Sequence, residues 1–81
     1  MKGSEKQIKW AEDIKERDIN YTRNGLAFAK EHESKELKVW ENILAQLEKG
    51  FAAAQDAKWI IDNRTQFDPQ QISNMVARMS R

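Results

Sequence analysis

An all-α domain is the fold this sequence predicts, and three observations carry the prediction. One Pro and three Gly in 81 residues leave little punctuation for strands and tight turns. β-Branched residues never alternate with polar ones in the way a half-buried strand requires. Residues 34–49, SKELKVWENILAQLEK, place Leu37, Trp40, Ile43, Leu44 and Leu47 three and four apart, on one stripe of a helix. A helix with one apolar stripe is unstable alone, so other segments must cover it. The predicted architecture is a small four-helix domain with short loops and an antiparallel helical core.

The chain is short enough to make one domain, residues 1–81, with a marginal core. Seven Ile, four Leu, three Trp, three Phe and three Met supply the bulk for it. The absence of Cys excludes a disulfide framework and thiolate zinc sites, and fits a reducing compartment. Fourteen Lys and Arg against thirteen Asp and Glu leave almost no net charge, which counts against a dedicated nucleic-acid binder. No apolar run approaches the roughly 20 residues that span a bilayer, and MKGSEKQ lacks the apolar centre of a signal peptide. A cytoplasmic location is expected.

The first helix is expected over about residues 5–24. Ser4 and Gln7 form a capping-box pattern, with Gly3 supplying freedom before it. Trp10, Ile14 and Tyr21 mark one edge of its buried arc, Ile8 and Ile19 the other, with Ala11 and Thr22 between them. A break or kink is expected at Asn24-Gly25, because both residues tolerate a left-handed conformation, although Leu26, Ala27, Ala29 and Lys30 beyond it are good helix formers. Residues 25–33 are then further helix or a frayed connection, with Leu26 and Phe28 available to the core.

A second helix is expected over 34–49, with Ser34 as its N-cap. Lys49-Gly50 is an ordinary helix end. The spacing of Leu37, Trp40, Leu44, Leu47, Phe51 and Ala54 nevertheless continues through Gly50, a heptad seam that would run to Ile61 and imply a coiled-coil dimer. A turn near Gly50 is preferred, since a helix that long is rare in a small domain. A third helix is expected over 52–63. The fourth, over 70–79, is introduced by an Asp68 cap, Pro69 at the first helical position and Gln71 completing the box. Its stripe is Ile72, Met75, Val76 and Met79. The predicted core is Ile14, Leu37, Trp40, Leu44, Leu47, Trp59, one of Ile60 or Ile61, Ile72, Met75 and Val76.

No catalytic or metal-binding pattern emerges. His32 with Glu36 would supply two ligands on one helical face, whereas a catalytic metal needs three; a solvated histidine is preferred. Glu12, Asp13 and Glu16 interleave with Lys9, Lys15 and Arg17 and read as a salt-bridged outer face. Trp10, Trp40 and Trp59 each fall on an apolar face, so a shared core cluster is preferred to a binding role, with Trp10 the weakest member beside Lys6 and Lys9. The most distinctive polar group is Asp62, Asn63 and Arg64 at the end of the third helix. A structural network is preferred there, Asn63 as cap and Arg64 reaching a carboxylate. The N-terminus of the first helix, near Lys2, Lys6 and Lys9, offers an anion only a weak site.

Two segments carry a resemblance. GSEKQIKWAEDI (residues 3–14) resembles a G-S/T-x-K-Q-x-x-W-A-x-x-I opening found in small uncharacterised proteins of bacterial phages and mobile elements. DAKWIIDNR (residues 56–64) resembles an A-K-W-W-I-D-N-R segment of similar proteins, with Ile60 in place of an aromatic. Together they cover about a quarter of the chain. The resemblance implies a compact helical module in which Trp10 and Trp59 share one packing unit. It implies no activity and no catalytic residue.

The function expected is therefore a non-enzymatic protein–protein interaction module, acting on another protein or on a second copy of itself. Its candidate partner-binding residues are Trp10, Asp62, Asn63 and Arg64. The alternative is a small nucleic-acid-binding accessory protein using Lys2, Lys6, Lys9, Lys58, Arg64 and Arg78, with Arg81 beyond them. No cofactor, membrane association or small-molecule substrate is implied.

Overall fold

A computed structural model describes residues 2–79. It is all-α: α1 (Glu5–Glu31), α2 (Leu37–Ala53), α3 (Ala57–Asp62), a single 3₁₀ turn (Arg64–Gln66) and α4 (Pro69–Met79). The molecule measures 43 × 20 × 18 Å. At 1.5 Å per residue, the 27 residues of α1 account for nearly all of the long dimension. This helix is the spine, and α2, α3 and α4 all pack against it.

The start of α1 follows from local sequence. The Ser4 hydroxyl accepts from the Gln7 backbone N–H at 3.2 Å, and the Gln7 side chain accepts from the Ser4 N–H at 3.1 Å. Two of the otherwise orphaned donors at this helix end are thereby occupied. Gly3 has φ +142° and presses against α3: a Cβ there would lie 3.0 Å from that of Ala57. The neighbouring Lys2 backbone donates to Gln55 O and accepts from Ala57 N, a one-rung parallel bridge that pins the start of the chain to the α2–α3 connection.

The end of α1 departs from expectation. Asn24-Gly25 does not stop the helix, which continues to Glu31. Gly25 lies where the Trp40 indole of α2 rests on α1; a Cβ at this position would sit 2.7 Å from Trp40 Cε3 and closer still to Cζ3 and Cη2. The glycine serves a close interhelical approach. Tyr21, one turn earlier, completes the seat, its ring centroid 6.0 Å from that of Trp40. The helix stops instead in a Schellman arrangement: Ser34 N–H donates to Ala29 O at 2.8 Å and Glu33 N–H to Lys30 O at 3.3 Å, with Glu33 at φ +49°. A glutamate in the left-handed region gives no sequence signal for a stop. Ser34 does not cap α2 either. Its hydroxyl accepts from Glu36 N–H in the connecting turn, and α2 begins three residues later without a side-chain cap.

α2 also passes through its glycine. It ends at Ala53, three residues beyond Gly50, because Phe51 belongs to the buried stripe of Trp40, Ile43 and Leu47. It does not run on to Ile61: Ala54 turns extended, and Asp56 opens α3 by accepting from Lys58 N–H at 2.9 Å. In α4, Asp68 accepts from Gln71 N–H at 2.8 Å with Pro69 first in the helix, which is the cap expected there.

The core is Ala11, Ile14, Ala29, Trp40, Ile43, Leu47, Phe51, Ala57, Ile60, Ile61, Ile72 and Val76, with Leu37 and Met75 half-buried against it. Three expectations change. Ile43 takes the central place assigned to Leu44, which lies half-buried on the flank of the stripe. Both Ile60 and Ile61 are buried, and Trp59 is pushed outward, since three consecutive residues cannot share one helical face. Phe28 is 64% exposed and stacks on His32, centroids 4.2 Å apart, outside the core.

The two helical glycines have opposite roles and should answer opposite ways to the same change. A Cβ at Gly50 meets nothing within 4 Å, so Gly50→Ala is expected to raise stability by about 1 kcal/mol. Gly25→Ala must displace the Trp40 ring and is expected to lower it by about 1–3 kcal/mol. Urea unfolding of the two variants beside the parent measures both, and a stabilised Gly25→Ala protein would refute the packing role.

Candidate functional site

Three consecutive core-bound residues cannot all point inward from a six-residue helix, and the consequence is an aromatic surface on α3. Trp10 and Trp59 are each 47% exposed. Trp40 alone of the three tryptophans is buried, so the expected core cluster of all three does not form. Their ring partners differ: Tyr21 for Trp40, Phe67 for Trp59 and the Arg64 guanidinium for Trp10.

Around Trp10 the grouping is cationic. Arg64 Cζ lies 5.0 Å from the indole centroid, within cation–π range. Arg64 Nη1 also donates to Ile61 O at 2.6 Å, which ties the side chain to the end of α3 rather than to a carboxylate. Arg17 Nη2 reaches the Arg64 carbonyl at 3.5 Å, and Arg17 Nε donates to Asp18 at 3.0 Å. Trp10 and Arg64, far apart in sequence, are thus brought together. Asn63 turns inward as a cap, its Nδ2 donating to Trp59 O at 2.7 Å, while Asp62 is exposed on α3.

The side occupied by Trp59 is apolar. Its ring packs 6.1 Å from Phe67, which meets Phe51 edge-on at 6.2 Å. Leu47, Gly50, Phe51, Trp59 and Phe67 line a small crevice of about 30 Å³. An open groove continues outward over Gly50, Ala53, Ala54, Gln55, Asp56 and Trp59. Gly50 and Phe67 were not singled out from sequence as functional. No sequence signal marks them, because the space beside Gly50 and the Phe51–Phe67 contact exist only once α2 and the segment after α3 are packed together.

The basic residues named from sequence are distributed over α1, α3, the 3₁₀ turn, α4 and the segment before α1. Lys6 and Lys9 are exposed on the first turns of α1, Lys58 is exposed on α3, and Lys2 is held by its backbone with its side chain in solvent. Arg78 is exposed on α4 beside Gln71, Asn74 and Ala77. Arg81 lies outside the described residues. The expected ion-paired face of Glu12, Asp13 and Glu16 is absent: among the described residues the ion pairs are Arg17–Asp18 and the exposed Arg23–Glu48 at 3.5 Å. Spacing along one helix permits such pairs, but exposed ones gain little over hydration.

Asp18 is the polar residue that sequence reading overlooked. It is fully buried with Thr22, whose hydroxyl donates to the Asp18 carbonyl at 2.8 Å. Desolvation raises the Asp18 pKa above its ordinary 3.8; the hydrogen bond and charge of Arg17 oppose the rise, and Asp68 adds to it. Among the described residues no group of three or more His, Cys, Asp or Glu side chains is placed to hold a metal ion. No described helix is long and apolar enough to cross a membrane.

Compared with protein-family models, curated proteins and solved structures, the chain gives no significant match.

Arg64→Ala removes both the cation over Trp10 and the bond to Ile61 O. A loss of about 1–2 kcal/mol in denaturant unfolding is expected. An unchanged midpoint would mean that Arg64 lies on the indole without holding it.

Proposed function

We propose that the protein is a non-enzymatic protein-binding module and that the Gly50–Trp59 groove is its contact surface. The observation that carries this reading is the half-exposed Trp59 over a crevice lined entirely by apolar residues. Tryptophan over such a crevice is the kind of group that dominates binding energy at interfaces. Gly50 strengthens the reading. Its hydrogen side chain leaves the groove open at a cost to helix stability, and nothing in the fold requires it. Trp10 and Arg64 form a second, cationic pairing between α1 and the 3₁₀ turn. The occupant is another protein or a second copy of this chain, in the cytoplasm. A phage or mobile-element origin, suggested by the two resembling segments, belongs to the same proposal.

A nucleic-acid-binding accessory role is the alternative. Arg64 over the exposed Trp10 ring favours it, since such pairs can stack a base. The near-neutral net charge weighs against it.

Light scattering over a concentration series tests self-association first. Site-specific photocrosslinking from position 53, beside the groove, then captures any other partner in cells. Trp59→Ala is expected to weaken whichever complex forms by about 30-fold, and Gly50→Gln, which fills the groove while favouring the helix, should do the same. A complex indifferent to both changes but weakening steeply with salt would overturn this reading in favour of phosphate-driven binding. Turnover of any substrate by the purified protein would overturn it altogether.

A further inference from the structure

The connection between α2 and α3 has the form of a one-rung strand with one edge already filled. Ala54 and Asp56 are both extended, at φ −73°, ψ 116° and φ −125°, ψ 121°. Lys2 lies along one edge. Its N–H donates to Gln55 O at 2.7 Å, and its carbonyl accepts from Ala57 N–H at 2.8 Å. This is the pattern of a parallel bridge between Lys2 and Asp56.

Peptide groups alternate in direction along an extended chain. Gln55 O and Ala57 N–H face Lys2, so Ala54 O and Asp56 N–H face the opposite edge. Neither of these two has a hydrogen-bond partner among the described residues. Ala54 N–H is donated to Gly50 O, and the Asp56 carbonyl accepts from Ile60 N–H at 3.5 Å. What is left open is one acceptor and one donor, the pair that a residue of an added strand satisfies. Lys2 makes the same two bonds on the filled edge.

The hollows on the two sides of the connection are distinct. Lys2, Glu12 and Lys15 line the one on the filled edge, together with Ala54 and Gln55. The one on the open edge is the groove of Gly50, Ala53, Ala54, Gln55, Asp56 and Trp59. Trp59 gives it an aromatic wall, and a Cβ placed at Gly50 meets no atom within 4 Å. Asp56 is the one charged residue in its lining. One carboxylate oxygen of Asp56 caps α3 by accepting from Lys58 N–H, and no cation pairs with the group among the described residues. The groove therefore complements a positive charge beside an apolar side chain.

We infer, on the reading that the Gly50–Trp59 groove is the contact surface, that its occupant is a short extended peptide of another protein. The peptide adds as a strand to the open edge of residues 54–56, pairing with Asp56 N–H and Ala54 O. An apolar side chain lies against Trp59 over Gly50, and a Lys or Arg next to it meets the Asp56 carboxylate. A helical partner cannot make the backbone contacts along its length, because its own peptide groups are already paired. With a single donor and acceptor on offer, the recognised segment is a few residues long and the Trp59 contact supplies most of the affinity.

The probe is a library of end-blocked synthetic peptides of about six residues, alternating β-branched apolar positions with Lys, Gln or Glu. Amide resonances of the full protein are the readout. The tightest members should shift the Trp59 indole N–H and the amides of residues 54–57, and should slow hydrogen exchange at Asp56 N–H about tenfold or more. Lys members should bind more tightly than their Glu counterparts, and Asp56→Asn, which keeps a capping oxygen, should erase that preference. N-methylation of the peptide amide that donates to Ala54 O should weaken binding by about tenfold. Methylation of the adjacent amide, which faces away, should leave it unchanged.

Peptides that shift Trp59 yet leave Asp56 N–H unprotected and tolerate every methylation would overturn strand addition while leaving the groove as the contact surface. Failure of every library member to bind would overturn the extended occupant. Indifference of a captured partner to Trp59→Ala is the separate result that overturns the groove itself. Equal affinity for Lys and Glu members would overturn the basic partner. Protection of Asp56 N–H that rises with protein concentration, without peptide, would give the edge to a second copy and overturn the choice of another protein.

Discussion

The Trp40 indole lies on the backbone of Gly25, and the arrangement of the other elements depends on this contact. It brings the beginning of α2 close to the axis of α1 and commits α1 to remain helical through a glycine that costs about 1 kcal/mol in isolation. The reversal at Glu33 and Ser34 then folds α2 back along the spine. Ile43, Leu47 and Phe51 follow Trp40 onto the buried face at helical spacing. Phe51 receives Phe67, and Phe67 in turn supports Trp59. Packing at one end of the molecule thus leads, one turn at a time, to the aromatic groove near the other.

The two ends of α3 show how little secondary structure is needed to place a surface. Six residues make an unstable helix alone. Here the Asp56 side chain closes its start, the Asn63 side chain closes its end, and Lys2 pins the preceding connection through two backbone hydrogen bonds. Ala57, Ile60 and Ile61 then spend the whole inner face of the element on the core. Trp59 has nowhere to go but outward. Its exposure is a consequence of its neighbours, as is the position of Arg64 over Trp10 once the chain leaves the helix.

Much of the organisation was legible from side-chain chemistry at short range. The Ser4–Gln7 box, the Asp68-Pro69 start and the stripes of α2 and α4 are local patterns, and local hydrogen bonds realise them. Asn24-Gly25 and Lys49-Gly50 misled because a glycine carries the same letter whether it ends a helix or admits a neighbour's ring. Glu33 misled in the opposite sense, as a left-handed residue without the glycine or asparagine that announces one. The candidate site was legible in part. Trp10 and Arg64 meet as a pair, whereas the groove could not be seen until α2 and α3 were placed side by side. Asp18 was visible in principle, since four-residue spacing to Thr22 puts it in the middle of the buried arc of α1. An acid there reads as surface charge until the arc is covered on every side.

By itself the sequence determined that the chain is helical, where two of its helices begin and which stripes must be buried, because those properties rest on capping and on a 3.6-residue period. The tertiary structure decided the rest: that neither helical glycine ends its helix, that Ile43 outranks Leu44, that Trp59 faces water and that Asp18 does not. Each of these depends on what lies opposite a residue, and opposition is created only when helices distant along the chain are brought into contact.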